Sequence, residues 1–475
     1  MRSRSGDCGP TVVSASLRFR TVLIGCLLTS LGACADRYLA PTTPDLMTTS
    51  RDRKPDNASS IVCDADNGGL KLPSGFCAVV VAKNVGRARH MVVNTNGDLY
   101  VALDNAPDGS VTGGILGLRD TDGDGRADEQ VRFGPTGGNG IALRDNHLYF
   151  APDDRVIRYD LANGALLPAG SPVTVVSALP SSGDHHRKTV VLDNRGGMFV
   201  NIGSETNACQ RQNRVPLSPG IDPCPELATR AGVWYFGANA IGQVQASGRR
   251  FATELRNMNA LAVNAGDGAL YGMQNSRDQL FDNWSSVFSQ RDDARLPAEE
   301  LFRIDRGQSY GWPYCYYDGE RNKKVLAPEY GGDGRIVGRC GTRTLPIEVY
   351  PAHWAPLSML FYTGTQFPKQ YGGGLFLAFH GSRFDTSLQH RGCGLRRNVR
   401  TLEDWNTSRR LQNVRRWLCW RNGDPYRRGA SRGWLGTGTR WVDLYFRRQG
   451  RMDLAGCVCR KEGVDGGIVA STYTW

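Results

Sequence analysis

Between residues 80 and 390 one short pattern recurs: a polar turn carrying Gly, Asn or Asp, then a strand-like run centred on an aromatic residue. It occurs as NTNGDLYVAL around Tyr100, RDNHLYFAPDD around Tyr149, LDNRGGMFVNIG around Phe199, NAGDGALYGMQ around Tyr271 and QYGGGLFLAFH around Phe376. The first two intervals are 49 and 50 residues, and the later ones are longer. Turn-plus-strand units at this period predict an all-β fold, a β-propeller in which each blade buries its faces on its neighbours. The competing arrangement is a β-sandwich of unrelated hairpins. The stretch from Tyr271 to Phe376 holds either two blades or one blade with a long insertion. A chain of 475 residues with 40% hydrophobic content can bury such a ring, and 58 glycines favour turns and short strands over long helices.

The net charge of +12 suggests a polyanion-binding protein until its distribution is considered. Residues 391–475 hold 18 Lys and Arg against 7 Asp and Glu, which places 11 of the 12 excess charges there, with six of the ten Trp. Interleaved Arg and Trp can serve single-stranded nucleic acid through phosphate neutralisation and base stacking. A ring of five visible units, however, leaves unpaired sheets on either side of a gap. Shifted by one base, the codons for Gly394–Arg409 and Arg440–Ala455 can be read as turns and strands of the missing kind. The tail is therefore expected to be a frameshifted blade beginning near His390, contributing no well-packed sheet. Nucleic acid is not an expected partner.

Arg18, Arg20 and the apolar run TVLIGCLLTSL form the charged and hydrophobic parts of a secretory signal, too short to span a membrane. The signal ends in LGAC, similar to a bacterial lipobox. Cys34 would then be lipidated and anchor an exported protein on the periplasmic side, the alternative being an ordinary cleavage site beside a chance cysteine. Six further cysteines fall in three local pairs along the chain: Cys63 and Cys77, Cys209 and Cys224, Cys315 and Cys340. An oxidising compartment would join such pairs, although spacing leaves the connectivity open. The expected organisation is a signal over 1–34, a linker over 35–64, a propeller over 65–390 and the frameshifted tail over 391–475.

Four segments, SSGDHHRKTVVLDNRGGMFVNIGS, ELRNMNALAV, GQSYGWPYCYY and FYTGTQFPKQYGGGLFLAFHGSRF, together resemble the soluble PQQ-dependent sugar dehydrogenase family, in particular its L-sorbosone and aldose sugar dehydrogenase branch. The resemblance implies a six-bladed propeller, here with its last blade missing or disrupted. It implies PQQ as cofactor with a Ca2+ ion beside it, and oxidation of an aldose or sugar-derived aldehyde to a lactone or acid. A respiratory-chain electron acceptor is implied as partner.

Hydride removal from a carbinol carbon needs a base, an electron sink and a positive group beside that sink. In GDHHRKT, His185 is the expected base, held by Asp184 or a neighbouring carbonyl, with His186 as its rival. In ELRNMN, Arg256 matches the family arginine beside the quinone carbonyls and Asn257 the adjacent cofactor contact. A guanidinium stays charged and offers forked donors. Arg383, Lys188 and Asn139 are further candidates for the three carboxylates of PQQ. The chain departs from the glucose-oxidising pattern at Thr363, where those members carry a cofactor-contacting lysine.

Asp120, Asp122, Asp124 and Asp128 in DTDGDGRAD have the spacing of a calcium loop, with Gly125 at the bend. Val131 stands where an EF-hand has its bidentate Glu, so a solvated acidic turn is the alternative. GxGxxG leading from a strand into a helix and HExxH are both absent. Two function classes remain: a PQQ sugar or aldehyde dehydrogenase, and a non-catalytic exported propeller that binds a ligand or protein at its top face.

Overall fold

The computed structural model describes residues 61–162, 164–382 and 384, together with the strands Arg396–Asn398, Trp441–Arg448, Arg451–Cys459 and Gly467–Tyr473, whose side chains are not described. All of these belong to one compact unit, residues 57–475. Cys34 and Arg383 lie outside the described residues.

The architecture is all-β and propeller-like. The first sheet joins Ala88–Val93, Leu99–Leu103, Gly114–Arg119 and Glu129–Phe133 in chain order. The second runs Gly140–Arg144, His147–Ala151, Val156–Asp160 and Val173–Ser177, with Gln243–Val244 added in parallel at its outer edge. The third comprises Val190–Leu192, Gly197–Ile202, Gly232–Gly237 and Arg249–Thr253. In the fourth, Ala260–Val263, Leu270–Gln274 and Glu299–Ile304 are followed by Glu348–Tyr350. Residues 305–347 form an insertion carrying the hairpin Cys315–Asp318 with Lys323–Leu326, so the long interval after Tyr271 is one sheet plus an excursion. The fifth pairs Pro356–Phe361, Leu375–Phe379 and Arg396–Asn398.

The repeat seen in the sequence is the second strand of each sheet. Tyr100, Tyr149, Phe199, Tyr271 and Phe376 are all buried, because this strand is covered on both faces by adjoining sheets. Leu99, Val101 and Leu103 pack toward Val81 and Ala82, whereas Tyr100 and Ala102 pack on Ile141, Leu148 and Phe150 of the second sheet. The same two-sided burial continues through Tyr149 against Val190 and Val200, Phe199 against Leu261 and Phe302, and Tyr271 against Leu375 and Leu377.

The strand Phe76–Lys83 packs Ala78 on Phe376 of the fifth sheet and on Tyr362, just after that sheet's first strand, and Val81 on Met91 of the first. Its backbone pairs with Gly467–Tyr473, which lies beside Trp441–Arg448 and Arg451–Cys459 in one sheet. The backbone of the Arg-rich tail therefore enters a sheet, while the expectation that it contributes no well-packed one turns on its side chains. The packing of its side chains lies outside the described residues. Three disulfides, Cys63–Cys77, Cys209–Cys224 and Cys315–Cys340, join the three local pairs.

Candidate active site

Antiparallel pairing sets the start of each first strand beside the end of each second strand. Ala88 faces Leu103, Gly140 faces Ala151, Val190 faces Val200, Ala260 faces Met273 and Pro356 faces Phe379. The segments flanking these pairs come together across neighbouring sheets. Arg187 before the third sheet reaches Asp104 after Leu103 at 2.7 Å, and Asn275 after Gln274 donates to Pro356 O at 2.8 Å. The polar groups so collected form one mouth above the axial cavity, which is lined by residues such as Ile141, Val190, Leu261 and Met359.

His185 and Arg256 meet at this mouth. A Cβ on Gly203 would lie 2.6 Å from both Cβ and O of His185 and 3.3 Å from Asn257 Oδ1, so only glycine lets the third sheet's second strand leave between them. Ser204 N donates to Arg256 O at 2.7 Å. His185 Nδ1 contacts Ser204 O at 3.1 Å and Ser204 Oγ at 2.9 Å. The one Ser204 hydroxyl proton goes to Thr206 O at 2.7 Å, so both Ser204 oxygens accept from the ring. Nδ1 therefore carries the hydrogen, and Nε2, without a partner among the described residues, presents its lone pair. Burial, and then the charge of Arg256, hold the His185 pKa well below its ordinary 6.5. The imidazole is neutral at neutral pH, as a base must be.

Asp184 does not orient His185. Its carboxylate accepts from Arg214 Nε at 2.9 Å and Asn213 Nδ2 at 3.2 Å. His186 turns away, with Nδ1 on Gly183 O at 2.9 Å and Nε2 3.6 Å from Asp153. Lys188 is wholly buried and points into the backbone, donating to Pro180 O at 2.7 Å and to His186 O. Burial pulls its pKa from 10.5 to about 7. Asn139 donates to Lys188 O and Thr189 Oγ1, both at 3.3 Å. Lys188 and Asn139 thus brace the His185 loop, with donors placed on protein oxygens.

Arg256 is buried, and its five N–H groups have acceptors within the protein. Nε donates to Asn207 O at 3.1 Å, and Nη1 to Asn275 O and Ser276 O at 3.1 and 3.0 Å. Nη2 donates to Asn207 Oδ1 at 2.9 Å and Asp278 Oδ2 at 3.4 Å. Burial lowers its pKa to about 10, which leaves it charged at neutral pH. Here Arg256 acts by its field rather than by free donors. Asn257 Oδ1 accepts from Asn201 Nδ2 at 3.4 Å.

Sequence reasoning missed Ser204, Asn207, Asp278 and His353, which fix these groups, and the three-arginine cluster on Asp104. Arg87, Arg89 and Arg187 all approach this buried carboxylate, at 3.4, 2.6 and 2.7 Å. Nε and Nη1 of Arg87 are buried and meet no acceptor among the described residues. The signal that could have found the ring is an offset. Four residues beyond each repeat aromatic stand Asp104, Asp153, Gly203, Asn275 and His380.

Asp120, Asp122 and Asp124 bring their carboxylates within 4.8 Å of one another, a donor set suited to a cation. Asp128 instead accepts from Thr121 N and Oγ1 at 2.7 and 2.8 Å. This turn joins the third and fourth strands of the first sheet, where Arg119 faces Glu129, at the end opposite the His185 mouth.

A family model described as TrAA12-like matches residues 70–392. The iodide structure of the Trichoderma reesei family AA12 carbohydrate-active enzyme superposes with a TM-score of 0.54 at 17% identity, over 67% of this chain and 79% of that one. The holo form of the pyranose dehydrogenase PQQ domain from Coprinopsis cinerea gives 0.52 at 19%, over 66% and 76%. A calcium structure of the Trichoderma reesei enzyme gives 0.53 at 17%, over 69% and 80%. At these identities the likeness is one of fold. An uncharacterised protein of Borreliella burgdorferi is 28% identical over 259 residues, 51% of this chain and 56% of that relative, so the match spans little more than half of its length.

Proposed function

Because the chain belongs to the TrAA12-like family, we propose that it is a PQQ-dependent oxidoreductase that oxidises the anomeric hydroxyl of an aldose, or a sorbosone-like sugar aldehyde, on a six-bladed propeller. The single observation that carries this reading is His185 held as the Nδ1–H tautomer beside the charge of Arg256, with a bare Nε2 at the mouth.

The residues present suit an anionic quinone. The orphaned donors of Arg87 lie beside a cluster in which three guanidinium groups face Asp104 and Asp153, leaving the locality positive. When bound, PQQ supplies the electron sink that takes a hydride from the carbinol carbon. The protein's part is the proton: Nε2 of His185 takes it from the reacting hydroxyl, and oxidation of a cyclic aldose leaves the lactone. Ser204 fixes the ring orientation without stabilising the imidazolium by charge, since it offers only neutral oxygens. Arg256 keeps the ring neutral before proton transfer. The convergence of His185 and Arg256 on one mouth favours this reading over a non-catalytic exported propeller that binds a ligand or protein. Calcium is proposed both as a companion of PQQ and at Asp120, Asp122 and Asp124. An electron acceptor of the respiratory chain and lipid anchoring through Cys34 on the periplasmic side complete the proposal.

The experiment is reduction of an artificial dye by the purified chain given PQQ and calcium, over a panel of aldoses and sugar aldehydes. It is run on this chain and on a second chain whose frame is restored near His390. Dye reduction lost in His185→Ala, with PQQ still retained on gel filtration, supports the reading. No dye reduction by either chain with any substrate sinks it. Equal rates per mole from the two chains refute the frameshifted-tail reading alone.

A further inference from the structure

His353, which immediately precedes the fifth sheet's lead-in segment Trp354–Ala355, has acceptors against both ring nitrogens. Nδ1 lies 3.2 Å from Asp278 Oδ1, and Nε2 lies 2.6 Å from Asp293 O and 3.1 Å from Leu296 O. A carboxylate and two backbone carbonyls can only accept. A neutral imidazole has a lone pair on one nitrogen, which would face one of these oxygens at hydrogen-bond distance. The other Asp278 oxygen accepts from Arg256 Nη2 at 3.4 Å and lies 3.8 Å from Arg214 Nη1. Asp278 N and O are both held by Asn207, at 3.0 and 2.9 Å, so the carboxylate stands on a fixed backbone between the two cations.

We propose that His353 is a positioning residue: as an imidazolium it holds Asp278, and through Asp278 it fixes Arg256 beside His185. The charged and titratable groups facing it come from every element packed around it. They are Asp278 from the segment after the fourth sheet's second strand, Glu299 from that sheet's third strand and Asp293 from the helix Gln290–Arg295. Across Asp278 stand Arg256 and Arg214. Glu299 accepts from Ser276 N at 2.8 Å and Ala355 N at 3.0 Å, which clamps the segment carrying Arg256's acceptors to the one carrying His353. Burial alone would lower the His353 pKa. The hydrogen bond and charge of Asp278, joined by the charge of Glu299, outweigh it and raise the pKa above 6.5. The device has a catalytic meaning only if the dehydrogenase reading holds: turnover would then fall on the alkaline side, where His353 loses its proton and with it its hold on Asp278.

The test reads the imidazoles directly, in the full chain with isotope-labelled histidine, by NMR titration from pH 5 to 9. Seven histidines make assignment by single substitution practical. His353 is expected to remain doubly protonated at pH 6.5 and to titrate above it. Asp278→Asn, close in shape, should bring the His353 midpoint below 6.5. His353→Leu should free the Asp278 carboxylate to turn away from Arg256 and so shift the His185 midpoint, since both charges act on that ring. A His353 that is neutral at pH 6.5 in the unsubstituted chain overturns the proposal without recourse to any variant. So does a His185 midpoint that is the same in the unsubstituted chain, Asp278→Asn and His353→Leu. Failure of the PQQ-loaded chain to reduce dye would sink the dehydrogenase reading, while these midpoints still decide the role of His353.

Discussion

Replacing Lys188 by Met tests whether the His185 loop rests on a buried, uncompensated amine. Its Nζ meets two neutral carbonyls and no carboxylate, and burial brings its pKa from 10.5 to about 7. Between about pH 7 and 10.5 the unfolded chain keeps this proton and the folded chain releases it. The unfolded state then binds more protons, so the Lys188 contribution to stability rises with pH across that window and is at its least favourable below pH 7. A displacement of this size, at about 1.4 kcal/mol per pH unit, amounts to about 5 kcal/mol. That is comparable with the whole stability of many domains, about 5–15 kcal/mol. Lys188→Met removes the pH-dependent part. It also strands Pro180 O and His186 O, a cost of about 1–3 kcal/mol each that does not vary with pH. The assay is urea unfolding of both chains, followed by tryptophan fluorescence at intervals from pH 6 to 10.5. The stability of the variant relative to the parent should fall by about 5 kcal/mol over that range, whatever its value at pH 6. A difference that stays constant with pH would refute the argument and place Lys188 in a site that water reaches.

Three further outcomes are expected. The acid limb of dye reduction should lie below pH 6.5, because burial and Arg256 depress His185; Ser204→Asp should move that limb upward by about 1–3 pH units by stabilising the imidazolium, and a limb that does not move would refute the role given to Ser204. Gly203→Ala sets a Cβ 2.6 Å from His185 and should lower stability by about 1–3 kcal/mol in thermal unfolding. An unchanged midpoint there would show that the loop yields freely. Cys34→Ala should abolish labelling by a radioactive fatty acid and release the protein from membranes; undiminished labelling excludes Cys34 as the anchor.

What the sequence determined by itself was the periodic part. Strands buried on both faces must be apolar along their length and must end in turns, so Tyr100, Tyr149, Phe199, Tyr271 and Phe376 marked the second strand of each of five sheets. The local cysteine pairs were visible for the same reason: loops of 14, 15 and 25 residues bring their ends together without help from the rest of the chain. His185 and Arg256 were singled out by motif, but their relation was not. Only the ring brings residues 185, 204, 256, 278 and 353, from segments flanking three different sheets, to one mouth. The identity of a hydrogen-bond partner depends on distances and directions between such segments, which no local pattern encodes. Asp184, adjacent in sequence to His185, was therefore a natural partner for it, yet the folded chain gives that carboxylate to Arg214 and the ring to Ser204. Lys188 and Asn139 had the right chemistry for an anionic ligand, but burial behind the loop turns their donors to protein oxygens. The Arg-rich tail marks the same boundary. Its composition argued against a packed sheet, while backbone pairing, which needs no particular side chain, still carries Gly467–Tyr473 along Phe76–Lys83.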